Sequence, residues 1–222
     1  MPKSSQRGTS ARVSLDDERS GELCPQQDLM DGVIAIGASA GGVIAIGEVL
    51  AQLPANLRYA VLVVLHLAPQ FTSHAAEVFA RSTSLKVTQA RDNEVLHRGV
   101  VYIAPPDFHL NVENGAVRLT HTAVINFSRP SIDSMFRSIA LNFGKQAIAV
   151  VLTGSGTDGA DGLRAIKAAG GFTIVQDPRT AQFSSMPDAA VATSCADRVL
   201  PLAEIAPLLR QLCASCGAAH RS

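Results

Sequence analysis

From residue 32 onward, apolar positions alternate between two patterns. Short continuous runs rich in branched residues occupy positions 33–36, 60–65, 148–152 and 172–175, and they read as buried strands. Between and after them, positions 41–53, 73–81, 160–169 and 202–212 carry apolar residues at helical spacing. Continuous strands separated by helices predict an α/β fold, a doubly wound and mostly parallel sheet flanked by helices on both faces. The middle of the chain breaks this rhythm. Residues 109–113 and 116–121 alternate apolar and polar positions around Asn114-Gly115. Asn-Gly supplies the two positive-φ positions of a tight turn, so an antiparallel β-hairpin is expected near residues 109–121.

The first 30 residues are polar and read as a disordered arm, residues 31–212 as the folded domain, and residues 213–222 as a flexible tail. Of the 222 residues, 47% are hydrophobic and 17% charged, a balance that excludes a disordered chain. Nineteen basic and nineteen acidic residues cancel. A chain that lives on phosphate backbones carries a basic excess, so nucleic acid is not an expected partner. No apolar run approaches the ~20 residues of a membrane helix, and the N-terminus lacks the apolar core of a secretory signal. The expected location is therefore cytoplasmic, without membrane insertion. Cys24, Cys195, Cys213 and Cys216 are expected as thiols. Cys213-x-x-Cys216 followed by His220 offers three potential zinc ligands where a structural site needs four, so no metal is expected.

Sites in open parallel sheets form where loops leave the carboxyl ends of strands. The first strand ends in Gly37-Ala38-Ser39-Ala40-Gly41-Gly42, the second in His66, and the strand at 148–152 in Thr153-Gly154-Ser155-Gly156-Thr157-Asp158-Gly159. Serine, histidine and aspartate thus stand at equivalent positions on three strands, and a triad is defined by geometry rather than chain order. Gly37-x-Ser39-x-Gly41 matches a nucleophile elbow, and the bland reading is a glycine-rich turn with a serine cap. His66 has the same ambiguity, since a histidine beside apolar residues is commonly a satisfied core residue. Asp161 competes with Asp158 for the acid, and Asp158 is preferred because it lies nearer the strand. His109 is placed to face the site from the hairpin, whereas His74, His97 and His121 read as surface positions. Gly154-x-Gly156-x-x-Gly159 also spells a dinucleotide fingerprint, with Asp177 in the place of a ribose-binding acid. Against that reading, only about 60 residues follow the glycines, too few for the rest of a dinucleotide-binding domain.

Taken together, these motifs resemble the catalytic domain of the bacterial chemotaxis receptor methylesterases, the CheB type. The resemblance spans about residues 32–212 and rests on Ile36-Gly-Ala-Ser39-Ala-Gly-Gly, Leu65-His-Leu-Ala-Pro69-Gln-Phe71 and Tyr102-Ile-Ala-Pro-Pro106-Asp-Phe-His109. It continues through Arg129-Pro-Ser-Ile-Asp133, Leu152-Thr-Gly-Ser-Gly-Thr-Asp158-Gly159 and Met186-Pro-Asp-Ala-Ala190. It implies a serine hydrolase with Ser39 as nucleophile, His66 as base and Asp158 as orienting acid, acting on glutamate γ-methyl esters of chemoreceptors and deamidating certain glutamines. Backbone N–H groups at Ala40, Gly41, Ser155 and Gly156 are the candidates for stabilising an oxyanion, and no cofactor is implied.

The sequence departs from the family pattern at Ala40, where the family has threonine, and at Ser155, where it has methionine. Familiar members also carry an N-terminal receiver domain of roughly 100 residues, more than the 30 polar residues here are expected to form. The implied partners are the methylated cytoplasmic region of chemoreceptors and a separate receiver or kinase protein. Two other readings stand beside the esterase: a docking module in a chemosensory complex with little catalysis, and a nucleotide-binding protein.

Overall fold

The apolar runs come together in one sheet. A computed structural model describes residues 30–66 and 74–219. The arm at 1–29 with Cys24, the Pro69 and Phe71 part of the second motif, and His220 with the last two residues lie outside them. The sheet has seven strands, β1 (Gly32–Ala38), β2 (Tyr59–Leu65), β3 (Lys86–Gln89), β4 (Val100–Ile103), β7 (Ala147–Val151), β8 (Phe172–Gln176) and β9 (Arg198–Leu200). Their order is β3-β4-β2-β1-β7-β8-β9 and every pairing is parallel. The hairpin β5 (His109–Glu113) and β6 (Ala116–Thr120) forms a separate antiparallel pair. Its turn is made as expected, with φ of 51° at Asn114 and 76° at Gly115.

Helices cover both faces because successive side chains of a strand point to opposite sides. In β1, Val33 and Ala35 enter one core layer while Ile34, Ile36 and Ala38 enter the other. The second layer is closed by α1 (Gly42–Ala51), α2 (Ala75–Ala80) and α6 (Leu202–Ala219), which contribute Ile46, Phe79 and Leu209. The first is closed by α3 (Ile132–Phe143), α4 (Ala160–Ala168), α5 (Ser185–Ala192) and the hairpin, through Phe136, Leu163, Met186 and Leu110. Each such side chain, fully buried, contributes about 1.5–3 kcal/mol.

The middle of the chain holds more than the hairpin. Strands β3 and β4 extend the parallel sheet past β2, and α3 packs on the hairpin and α4. Helix α6 continues through Ala219, beyond the end at 212 that its apolar spacing predicts. Among the described residues, no helix is long and apolar enough to cross a membrane. Strand order reverses at β1, which has β2 on one side and β7 on the other. The crevice above this switch point is where open α/β sheets bind ligands.

Candidate active site

Ser39 leaves the end of β1 held by its own backbone. Its N–H donates to Thr153 O at 3.0 Å, and its carbonyl accepts from Gly42 N at 2.8 Å. The chain then turns into α1 through Gly41, whose φ of 76° is left-handed. The left-handed residue of this turn is therefore the glycine and not the serine. Thr153 ties the turn to its neighbours. Its hydroxyl donates to Ala40 O at 3.1 Å and accepts from Phe183 N at 2.9 Å. The next residue, Gly154, packs beneath the serine, and a Cβ there would lie 2.8 Å from Ser39 Cβ.

His66 arrives beside Ser39 by register. Ala38 pairs with Leu65, and His66 N donates to Ala38 O at 3.0 Å, so the ladder's next step sets residue 39 against residue 66. The imidazole is mostly buried, and its Nε2 lies 3.0 Å from Asp158 Oδ2. A carboxylate accepts only, so Nε2 carries a proton, and Nδ1 has no partner among the described residues. Among the described residues, the Ser39 hydroxyl makes no hydrogen bond. The structure thus joins His66 to Asp158 and places Ser39 alongside, without a serine–histidine bond. Such bonds are often long before substrate binds.

Asp158 is 2% exposed and fully satisfied. Oδ1 accepts from Ser131 Oγ at 2.9 Å and Asp133 N at 3.0 Å; Oδ2 accepts from Ile132 N at 2.7 Å as well as from His66. Ile132 and Asp133 open α3, so the carboxylate sits on the positive end of that helix. Burial pushes its pKa up, but the hydrogen bonds from His66, Asp133 N and Ile132 N outweigh burial and hold it below the ordinary carboxylate value. Asp133 is displaced the other way. Burial and the adjacent Asp158 charge raise it, opposed by the N–H groups of Gly162 and Gly159.

The other candidates sort clearly. Asp161 is exposed and paired with Arg164 and, at 3.6 Å, with Arg137. His109 is fully buried one step behind the site: its Nδ1 accepts from Ser131 N and its Nε2 donates to Ala123 O, both at 3.1 Å. His74, His97 and His121 are exposed. Of the oxyanion candidates, Gly156 gives its N–H to Ser185 Oγ at 3.1 Å, which leaves Ala40, Gly41 and Ser155 with N–H groups unused among the described residues. The nucleotide reading meets a physical obstacle. Gly154, Gly156 and Gly159 donate to Phe183 O, Ser185 Oγ and Asp133 Oδ1, so no N–H of the three glycines is left for a phosphate. Asp177 is engaged by Arg179 and caps its own turn at Pro178–Thr180.

Sequence reasoning assigned no role to Thr153, Ser131, Asp133 or Asn126, whose amide donates to Asp133 Oδ2 at 2.6 Å. The available signal was Pro130-Ser131-Ile132-Asp133, a serine cap followed by an acid in a first helical turn. The model of the CheB methylesterase family matches residues 34–209. The chain belongs to the CheB methylesterase family. It is 43% identical over 193 residues to protein-glutamate methylesterase/protein-glutamine glutaminase 2 of Pseudomonas aeruginosa, covering 85% of this chain and 55% of that protein. A putative protein-glutamate methylesterase/protein-glutamine glutaminase of Leptospira interrogans is 36% identical over 180 residues, covering 81% of this chain and 93% of that protein. The CheB methylesterase catalytic domain of Thermotoga maritima has a similar structure, with a TM-score of 0.78 at 36% identity, covering 82% of this chain and 98% of that one. Against several curated CheB relatives, the chain spans about half their length.

Proposed function

We propose that this chain is a serine esterase that hydrolyses γ-methyl esters of glutamate side chains on chemoreceptor-like proteins in the cytoplasm. The observation that carries the reading is the largely buried His66–Asp158 pair, 3.0 Å apart at the carboxyl edge of the sheet, with His66 ending the strand paired with the one that Ser39 ends. Ser39 Oγ attacks the ester carbonyl carbon while His66 Nδ1 takes the hydroxyl proton. Asp158 fixes the tautomer through Nε2 and balances the imidazolium charge that forms. The tetrahedral oxyanion is received by N–H groups among Ala40, Gly41 and Ser155, the first two leading directly into the positive N-terminal end of α1. Collapse breaks the bond to the methoxy oxygen, His66 returns the proton, and methanol leaves. Water then repeats the sequence on the acyl-enzyme and releases the glutamate carboxylate and free Ser39. With a glutamine side chain the same steps expel ammonia, so deamidation needs no further group.

The substrate protein would be the methylated cytoplasmic region of a chemoreceptor, with a receiver or kinase protein as a second partner. Methanol release from a methylated chemoreceptor, compared between the wild type and Ser39→Ala, tests the reading. Release by the wild type alone is expected. Binding of the receptor without release by either would favour a docking module instead.

A further inference from the structure

Helices α3 and α4 exchange carboxylates at their N-termini. A helix start leaves N–H groups that need acceptors from outside the helix. In α3 the first two, Ile132 N and Asp133 N, are taken by Asp158, which belongs to the loop leading into α4. In α4, Gly159 N and Gly162 N are taken by Asp133 Oδ1 of α3, at 2.9 and 2.6 Å. The cap residue of α4 is Gly159, with no side chain to serve. Asp133 is 1% exposed, and its second oxygen accepts from Asn126.

We infer that Asp133 is a positioning residue: by capping α4 from α3, it leaves Asp158 free to hold His66. Asp158 immediately precedes the cap of α4, where a carboxylate ordinarily serves its own helix. With Asp133 in place those donors are already filled, and Asp158 turns outward to α3 and the imidazole. Without it, Gly159 N and Gly162 N lose their acceptor, and the carboxylate adjacent to them in the chain is that of Asp158. Capping its own helix would withdraw the carboxylate from His66 and release the tautomer. The Asn126–Asp133 bond keeps the second oxygen of Asp133 occupied, which favours the crossed arrangement.

The inference rests on the esterase reading, and its test has one arm that does not. The wild-type imidazole proton on His66 Nε2 is read by proton NMR as a downfield resonance, and kcat and KM are read from methanol release. In Asp133→Ala the resonance should disappear, and kcat should fall about tenfold or more with KM unchanged, as when the group orienting a catalytic ligand is removed. In an Asp158→Asn background the same substitution should cost no further activity. Asp133→Asn, which keeps an oxygen for Gly159 and Gly162, should retain the resonance and recover most of kcat. Equal fold-losses in both backgrounds, or an unchanged resonance in Asp133→Ala, would overturn the inference. If Asp133→Ala does not fold, Asn126→Ala takes its place, with a smaller loss that must likewise vanish beside Asp158→Asn. If the wild type releases no methanol, the esterase reading fails and the resonance alone judges Asp133.

Discussion

Asp158→Asn removes a charge and almost no volume, so its effects follow from hydrogen bonds alone. The wild-type carboxylate accepts from Ser131 Oγ, Asp133 N, Ile132 N and His66 Nε2, two on each oxygen. An amide has one oxygen and one NH2. Whichever way it turns, its NH2 faces a backbone N–H, either Ile132 N or Asp133 N. One buried unsatisfied donor costs about 1–3 kcal/mol. At about 2–4 °C per kcal/mol for a chain of this size, Tm should fall by about 2–12 °C. The catalytic cost is larger. With NH2 toward Nε2, the imidazole moves its proton to Nδ1, and the nitrogen proposed to accept the Ser39 proton becomes a donor. That is the wrong tautomer for a general base, and the loss expected in kcat is about 10⁴, or about 5 kcal/mol of barrier. Thermal unfolding and methanol release on the same preparation separate the two effects. A kcat loss below about tenfold, far short of the loss a wrong tautomer brings, would refute the assignment of Asp158 as the orienting acid.

Other predictions follow from the same geometry. A fluorophosphonate probe should label the wild type and not Ser39→Ala, whose stability should stay within about 0.5 kcal/mol because the hydroxyl it loses has no partner among the described residues. Gly154→Ala would set a Cβ 2.8 Å from Ser39 Cβ and 2.7 Å from Met186 Cε, and Met186 is too buried to swing aside. That contact should cost about 1–3 kcal/mol of stability and, by moving the serine, up to about 10²-fold in kcat; wild-type kinetics would show the packing argument to be mistaken. Because the folded pKa of Asp158 lies below its unfolded value, its contribution is complete above the unfolded value of about 3.9 and is lost as pH falls through the folded one. The stability gap between wild type and Asp158→Asn, measured by chemical denaturation, should therefore narrow in acid. A gap independent of pH would contradict the depressed pKa.

The strands that carry the site were legible because they are buried on both faces. Residues in β1, β2 and β7 have no polar side, so their apolar runs are continuous and end abruptly at Ser39, His66 and Thr153. The edge strand β3, Lys-Val-Thr-Gln, is exposed or half-buried throughout, and only its pairing with β4 makes it a strand. Helix α3 escaped the pattern reading although Ile132, Met135, Phe136, Ile139 and Ala140 recur at helical spacing. The site divides in the same way. Ser39, His66 and Asp158 stand close to strand ends, where position in the fold reveals chemistry. Asp133 and Asn126 reach the site from segments distant in sequence, and their part depends on how two helices meet. Gly156 shows the converse: its place in a promising loop gave no hint that Ser185 Oγ takes its N–H.

The crossed caps of α3 and α4 also bear on how the protein matures. Each helix draws part of its first-turn capping from the segment that opens the other, while Ser131 also caps α3 through Ser134 N, and β7 separates the two along the chain. A chain with its central strands paired but α3 undocked would bring His66 up to Ser39 while Asp158 lacked the hydrogen bonds from Ser131, Ile132 and Asp133 that hold it in place. On the proposed mechanism, such an intermediate would be a poor esterase. Ester hydrolysis therefore requires α3 in place as well as the paired strands, so the site is completed by helix docking and not by the sheet alone.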